Sequence, residues 1–137
     1  MDKIINSILN GNLLQFLPRL IAVMVLGYFA LKFLDTTTGF LKVFKNGGYK
    51  SSKMREGLIK FTGELVAIIF VIVWDAMMGL DFYLTGVALA YLIYKEAGSI
   101  LENLKEIGVN LPATIADKIE AANPEKSDKE EVNKKND

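Results

Sequence analysis

Apolar positions in this chain come in blocks. Leu20–Ala30 is the first, Leu65–Trp74 (LVAIIFVIVW) the second and Val87–Tyr94 (VALAYLIY) the third. From Phe61 to Tyr94 there is no Lys or Arg, and the only charges are Glu64, Asp75 and Asp81. As one helix at ~1.5 Å per residue this stretch would run ~50 Å, too long for one crossing of a ~30 Å hydrocarbon core. Folded at Asp75–Asp81, it makes two short crossings joined by an acidic tip containing Gly79. The predicted fold is an all-α membrane protein. Its transmembrane domain, residues 17–101, holds three short transmembrane helices at about 17–34, 61–79 and 83–101.

The flanking patterns are helical too. Residues 1–16 form an N-terminal segment with Ile4, Ile5, Ile8 and Leu9 on one face. It reads as an interfacial helix weakened by Gly11, or as a frayed terminus. Pro18 suits the first turn of a helix, and Arg19 and Lys32 can snorkel from the two ends of the first crossing. The connection 35–60 contains the breaker Asn46-Gly47-Gly48. Before it, Phe40, Leu41, Val43 and Phe44 can extend the first helix into the interface. After it, Ser51-Ser52 opens a basic amphipathic start to the second crossing. Trp74, Phe82 and Tyr83 fall where one aromatic belt is expected, and Tyr91 and Tyr94 where the other is. Residues 102–122 form a cytoplasmic helical segment: Ile100, Leu101, Leu104 and Ile107 keep helical spacing, Gly108 and Pro112 stop it, and Ala113–Ala122 makes one more short helix. Residues 123–137 are a charged tail with almost no apolar side chain, predicted to be disordered.

Charge adds orientation. The net charge of zero hides a split: residues 1–60 carry nine basic and three acidic side chains, residues 61–137 seven and thirteen. Lys42, Lys45, Lys50, Lys53, Arg55 and Lys60 crowd the first connection, whereas the hairpin tip has no basic residue. By the positive-inside rule that connection is cytoplasmic and the tip outside, giving an N-out/C-in multi-pass membrane protein. If the first apolar block lies in the interface instead, the N-terminus is inside. No Ala-x-Ala cleavage pattern follows that block, which reads as a retained anchor.

Composition narrows the chemistry. There is no Cys and no His, which removes thiolate chemistry, the commonest general base and the commonest metal ligand. No catalytic, cofactor-binding or metal site is predicted, and an enzyme is disfavoured. A transporter would be expected to show inverted repeats, and none is evident. A nucleic-acid role is poorly supported, because the basic stripe is bounded by membrane segments. That stripe is either a topology determinant or a contact for anionic lipid.

Asp35, Glu64, Asp75 and Glu96 are the polar residues in or near lipid, where a carboxylate usually faces a bundle interior or water. Glu64 can pair with Lys60 one turn away, and Asp35 with Lys32 at a helix end. Asp75 either ends its helix in water or faces a neighbouring subunit or a lumen. Gly27, Gly79, Gly86, Ala90 and Gly98 offer small faces for helix packing.

Several motifs carry a family resemblance. They are Asp35-Thr36-x-x-Gly39, Lys42 and Lys45, Ser51-Ser52, Gly57-Leu58-x-Lys60, Asp75, then Glu96-Ala97-x-Ser99-Ile100-Leu101-Glu102-Asn103 and Gly108-Val109-x-x-Pro112. From about Leu20 to Ile119 the chain resembles the small phage holins grouped as toxin secretion/phage lysis holins. The segment around Ser99–Asn103 is the most specific part, and Lys95 departs from the neutral residue expected beside Glu96. The resemblance implies a homo-oligomer in the host cell membrane that opens lesions at a set time. Those lesions would release an endolysin, or in some relatives a toxin, for host cell lysis. A non-lytic membrane anchor that binds a partner through its C-terminal helices is the alternative.

Overall fold

The computed structural model describes residues 2–10 and 18–121. The elements among them are all helical: α1 (Asp2–Leu9), α2 (Arg19–Asn46), α3 (Ser51–Met78), α4 (Tyr83–Ile107) and α5 (Ala113–Ala121). The expected start of the first crossing at Leu17 and the tail 123–137 lie outside the described residues, as do residues 11–16 of the N-terminal segment.

Local chemistry sets the ends of these helices. Pro18 precedes α2, and its carbonyl accepts from Ala22 N–H. Gly47 (φ 68°) ends α2 with its N–H on the Val43 carbonyl. Gly79, left-handed at φ 65°, ends α3, and Leu80 N–H reaches back to the Asp75 carbonyl. Gly108 (φ 93°) does the same for α4, with Val109 N–H on the Leu104 carbonyl. The last two are six-to-one closures of the Schellman type, which need a residue at positive φ. A Cβ on Gly79 would meet nothing within 4 Å. Gly79→Ala is therefore expected to cost only the left-handed backbone term, ~1–2 kcal/mol, read as a shift in thermal unfolding in detergent micelles. A larger loss would mean that the site is also sterically tight.

The connection after the first apolar block is much shorter than its sequence suggests. α2 continues from Leu34 to Asn46 and α3 already begins at Ser51, leaving a short link at 47–50. The run Thr36-Thr37-Thr38 is tolerated inside α2 because its hydroxyls donate to carbonyls one turn back. Thr36 Oγ1 bonds Lys32 O at 2.9 Å, Thr37 bonds Phe33 O at 2.8 Å, and Thr38 bonds Asp35 O at 3.0 Å.

Two helices, α2 and α3, are long and apolar enough to cross a membrane, and only 11% of the apolar window of each is buried. The core helix of a soluble protein would be mostly buried. Here Leu20, Leu26, Phe33, Val66, Ile69 and Phe70 lie exposed instead, an arrangement suited to lipid. α4 falls short of the same test, since Lys95 and Glu96 interrupt its apolar run. Among the described residues, two helices have the length and composition to span, against the three crossings expected.

The chain divides into two compact units. The first comprises Met1–Gly27 and Lys50–Ala90, and its buried residues are Ile21, Ile68, Asp75, Phe82, Thr85 and Leu89. The second comprises Tyr28–Tyr49 and Tyr91–Asp137, with Tyr28, Thr38, Leu92, Glu96, Leu101 and Ala116 buried. Phe82 is therefore a core residue, not a member of the aromatic belt. Tyr83, Trp74, Tyr91 and Tyr94 remain exposed.

Candidate functional site

The polar residues of the second unit form a seam between α2 and α4. Lys32, Asp35, Thr38, Lys42 and Lys45 follow one another at spacings of three and four, which places them along one face of α2. Glu96, Asn103 and Glu106 line the facing side of α4. Lys32 Nζ donates to Glu96 Oε1 at 2.8 Å, with the Glu96 side chain 2% exposed and Lys32 16%. Asn103 Nδ2 donates to Asp35 Oδ1 at 3.1 Å and to Thr38 Oγ1 at 3.3 Å. At the outer end Lys42 Nζ meets Glu106 Oε1 at 2.8 Å, and Lys45 Nζ donates to the Glu106 carbonyl at 3.1 Å. That last contact places a cation at the C-terminus of α4, where the helix dipole favours it.

This seam corrects one sequence expectation. Lys32 does not close an end-of-helix pair with Asp35; it reaches Glu96 on α4, while Asp35 takes Asn103. Gly39 belongs to the same place, since a Cβ built on it would lie 3.9 Å from Asn103 Nδ2. Two of the motifs that carry the resemblance, Asp35-Thr36-x-x-Gly39 and the Glu96–Asn103 segment, thus meet in space. Lys105 also ties α4 to α5 through Glu120 at 3.0 Å, an exposed pair of small energetic weight.

In the first unit the hairpin tip is built around Asp75. Its Oδ2 accepts from Thr85 N–H at 2.6 Å and from Thr85 Oγ1 at 2.7 Å. Thr85 lies in the first turn of α4, whose N–H groups have no partner within the helix. The carboxylate caps that turn from the preceding helix, at the end where the dipole favours an anion. Asp75 is 1% exposed and Thr85 is fully buried. Asp75 Oδ1 is buried with no hydrogen-bond partner among the described residues. Asp75 thus neither ends its helix in water nor faces outward; it holds its own hairpin. Between the two partners Asp81 (φ 48°) and Phe82 (φ 62°) are both left-handed. For Phe that conformation costs ~1–2 kcal/mol, and burial of the ring helps to hold it there.

The remaining candidates are less concentrated. Glu64 is half-buried, and every residue from Ser51 to Lys60 is exposed. Gly86 packs within its own chain, since a Cβ there would lie 3.6 Å from Ile21 Cδ1. Gly27 and Gly79 have open space beside them. Ala90 and Gly98 are half-buried.

The sequence model of the bacteriophage holin family matches residues 5–123. The chain belongs to that family. A probable holin of Bacillus phage phi105 is 33% identical over 107 residues, covering 74% of this chain and 77% of the relative. A protein of Bacillus subtilis strain 168, YqxH, described as uncharacterized, is 31% identical over 96 residues, covering 70% of this chain and 69% of its own length. No solved structure matches the chain significantly. The matched region of the holin family includes the polar seam and the Asp75–Thr85 tip, so both are features of the holin-like part of the molecule.

Proposed function

We propose that this holin-family chain accumulates as a homo-oligomer in the cytoplasmic membrane of an infected bacterium and opens lesions that end in timed host cell lysis. A muralytic endolysin is the cargo this reading favours, with a toxin as the variant, and no direct contact with that cargo is implied. The observation that carries the reading is the seam. Polar groups are enclosed between helices whose outward faces are apolar, the store a membrane-inserted chain needs if it is later to border water. α4 completes the hairpin as a third crossing, with Lys95 at its cytoplasmic end. The basic residues between Lys42 and Lys60 orient the chain N-out/C-in.

Gly27, Gly79, Ala90 and Gly98 are the small residues proposed to support packing between copies. Gly86 supports such packing only indirectly, through its contact with Ile21. The second reading, a non-lytic anchor or accessory subunit, is favoured by one observation: Val109, just before α5, and Ile115, on it, stand exposed where a partner protein would find them.

Induced expression in bacteria separates the two readings. A lesion-forming holin should stop growth abruptly, collapse the membrane potential and release a co-expressed cytoplasmic endolysin. Cells that keep their potential at high expression, while a specific protein co-purifies with the chain, would establish the anchor.

A further inference from the structure

Six basic side chains lie between Lys42 and Lys60, and the fold divides them into two groups. Lys42 and Lys45 are engaged at the end of α4, by Glu106. Lys50, Lys53, Arg55 and Lys60 make no side-chain hydrogen bond or ion pair among the described residues. Glu56 is the single acidic residue between Lys50 and Lys60. All ten residues of the opening of α3, Ser51–Lys60, are exposed, including the apolar Met54 (54%), Leu58 (64%) and Ile59 (64%).

Two further observations bear on what meets this surface. The 28 residues of α3 span ~42 Å, about 12 Å more than a hydrocarbon core. Its apolar part runs from Phe61 towards Trp74, so the surplus length falls at Ser51–Lys60. There Met54, Leu58, Phe61 and Leu65 follow one another at helical spacing on one side, while Lys53 and Lys60 lie off that side. A basic amphipathic turn with exposed apolar residues, placed at the membrane boundary, fits acyl chains on one side and phosphate oxyanions on the other.

We infer that Lys50, Lys53, Arg55 and Lys60 form a docking surface for the phosphate headgroups of anionic phospholipid, distinct from the two lysines engaged in the seam. The surplus of four cations over one carboxylate selects an anionic surface, and the exposed Met54 and Leu58 select a lipid one. The inference rests on the membrane reading of the chain.

The full chain would be reconstituted into vesicles of phosphatidylcholine alone and of phosphatidylcholine mixed with phosphatidylglycerol. Spin-labelled forms of each lipid would then report which one the protein immobilises. The wild type should favour phosphatidylglycerol several-fold, given about fivefold for a single basic residue near an anionic surface. K50Q/K53Q/R55Q/K60Q should bring the ratio close to one, while K42Q/K45Q should leave it unchanged. A preference that survives the quadruple substitution, or is lost equally in the double, overturns the inference. So does a preference that inorganic phosphate abolishes and chloride of equal ionic strength does not, because that marks a free-phosphate site. A chain that co-floats with vesicles but shows no preference overturns the docking surface alone. One that fails to co-float overturns the membrane reading together with it.

Discussion

Replacing Lys32 by Met is expected to cost ~3–5 kcal/mol, the range for stripping the partner from a buried charge. The reason is the burial of Glu96, 2% exposed, whose Oε1 accepts from Lys32 Nζ at 2.8 Å. Once the ammonium is gone, the carboxylate loses its 2.8 Å ion pair while the cost of its burial remains. Glu96→Leu, the other single variant of the cycle, is expected to cost less, because Lys32 is 16% exposed and its long stem can carry the ammonium to water. The double variant K32M/E96L should recover most of the loss, since apolar residues of similar size often replace a buried ion pair without penalty. Denaturant unfolding in micelles measures the cycle. If the two single losses simply add in the double variant, the pair is not the coupled unit that the geometry describes.

The same cycle bears on function. Under the proposed reading, the double variant is well folded yet has lost the buried ion pair of the seam, the charged pair available there to border water. It should therefore reach the membrane in normal amount and lyse late or not at all. A merely structural pair would give normal lysis once stability is restored.

The parts of this fold that can be read from sequence are those whose causes are local. Gly47, Gly79 and Gly108 mark helix ends because the closing turn needs positive φ at that residue. Pro112 precedes α5 for a similarly local reason. The hairpin around Asp75–Asp81 follows from a stretch without Lys or Arg that is too long for one crossing. The seam was hidden because each member has an ordinary reading by itself. Lys32 beside Asp35 looks like a helix end, and Glu96 beside Lys95 looks like a membrane boundary. Their partners lie more than sixty residues away, and no periodicity in one segment names a partner in another. A signal did exist: Lys32, Asp35, Thr38, Lys42 and Lys45 share one face, a polar stripe on a helix otherwise apolar enough to span. Such a stripe asks for a polar counterpart, and Glu96, Asn103 and Glu106 provide it. Phe82 reads from sequence as a belt residue because left-handed backbone at an aromatic residue has no sequence signature. Only the turn geometry directs its ring inward.

The tip gives the second large effect. Asp75→Ala removes the acceptor of two buried donors, Thr85 N–H and Thr85 Oγ1, at 2.6 and 2.7 Å. Hydrogen bonds to a charged acceptor contribute ~1.5–3 kcal/mol each, and an orphaned buried donor costs ~1–3 kcal/mol. The hydroxyl can turn to another acceptor, whereas the backbone N–H cannot, so a net loss of about 3 kcal/mol is expected. Asp75→Asn retains an oxygen for Thr85 and should fall between wild type and Asp75→Ala. Thr85→Val removes the hydroxyl but not the N–H, and should cost about 1 kcal/mol. Trp74, the single tryptophan of the chain, is adjacent to Asp75 and reports the tip directly. Its fluorescence during thermal unfolding should shift earlier in the order Asp75→Ala, Asp75→Asn, Thr85→Val. The left-handed backbone at Asp81 and Phe82 makes a further consequence testable. With the carboxylate gone, nothing at Asp75 opposes relaxation of that strain, and amide exchange at Phe82–Gly86 should rise more than exchange at Leu101–Leu104 in the other unit. Equal exchange in both segments would mean that Asp75 stabilises the helices generally and does not latch the hairpin.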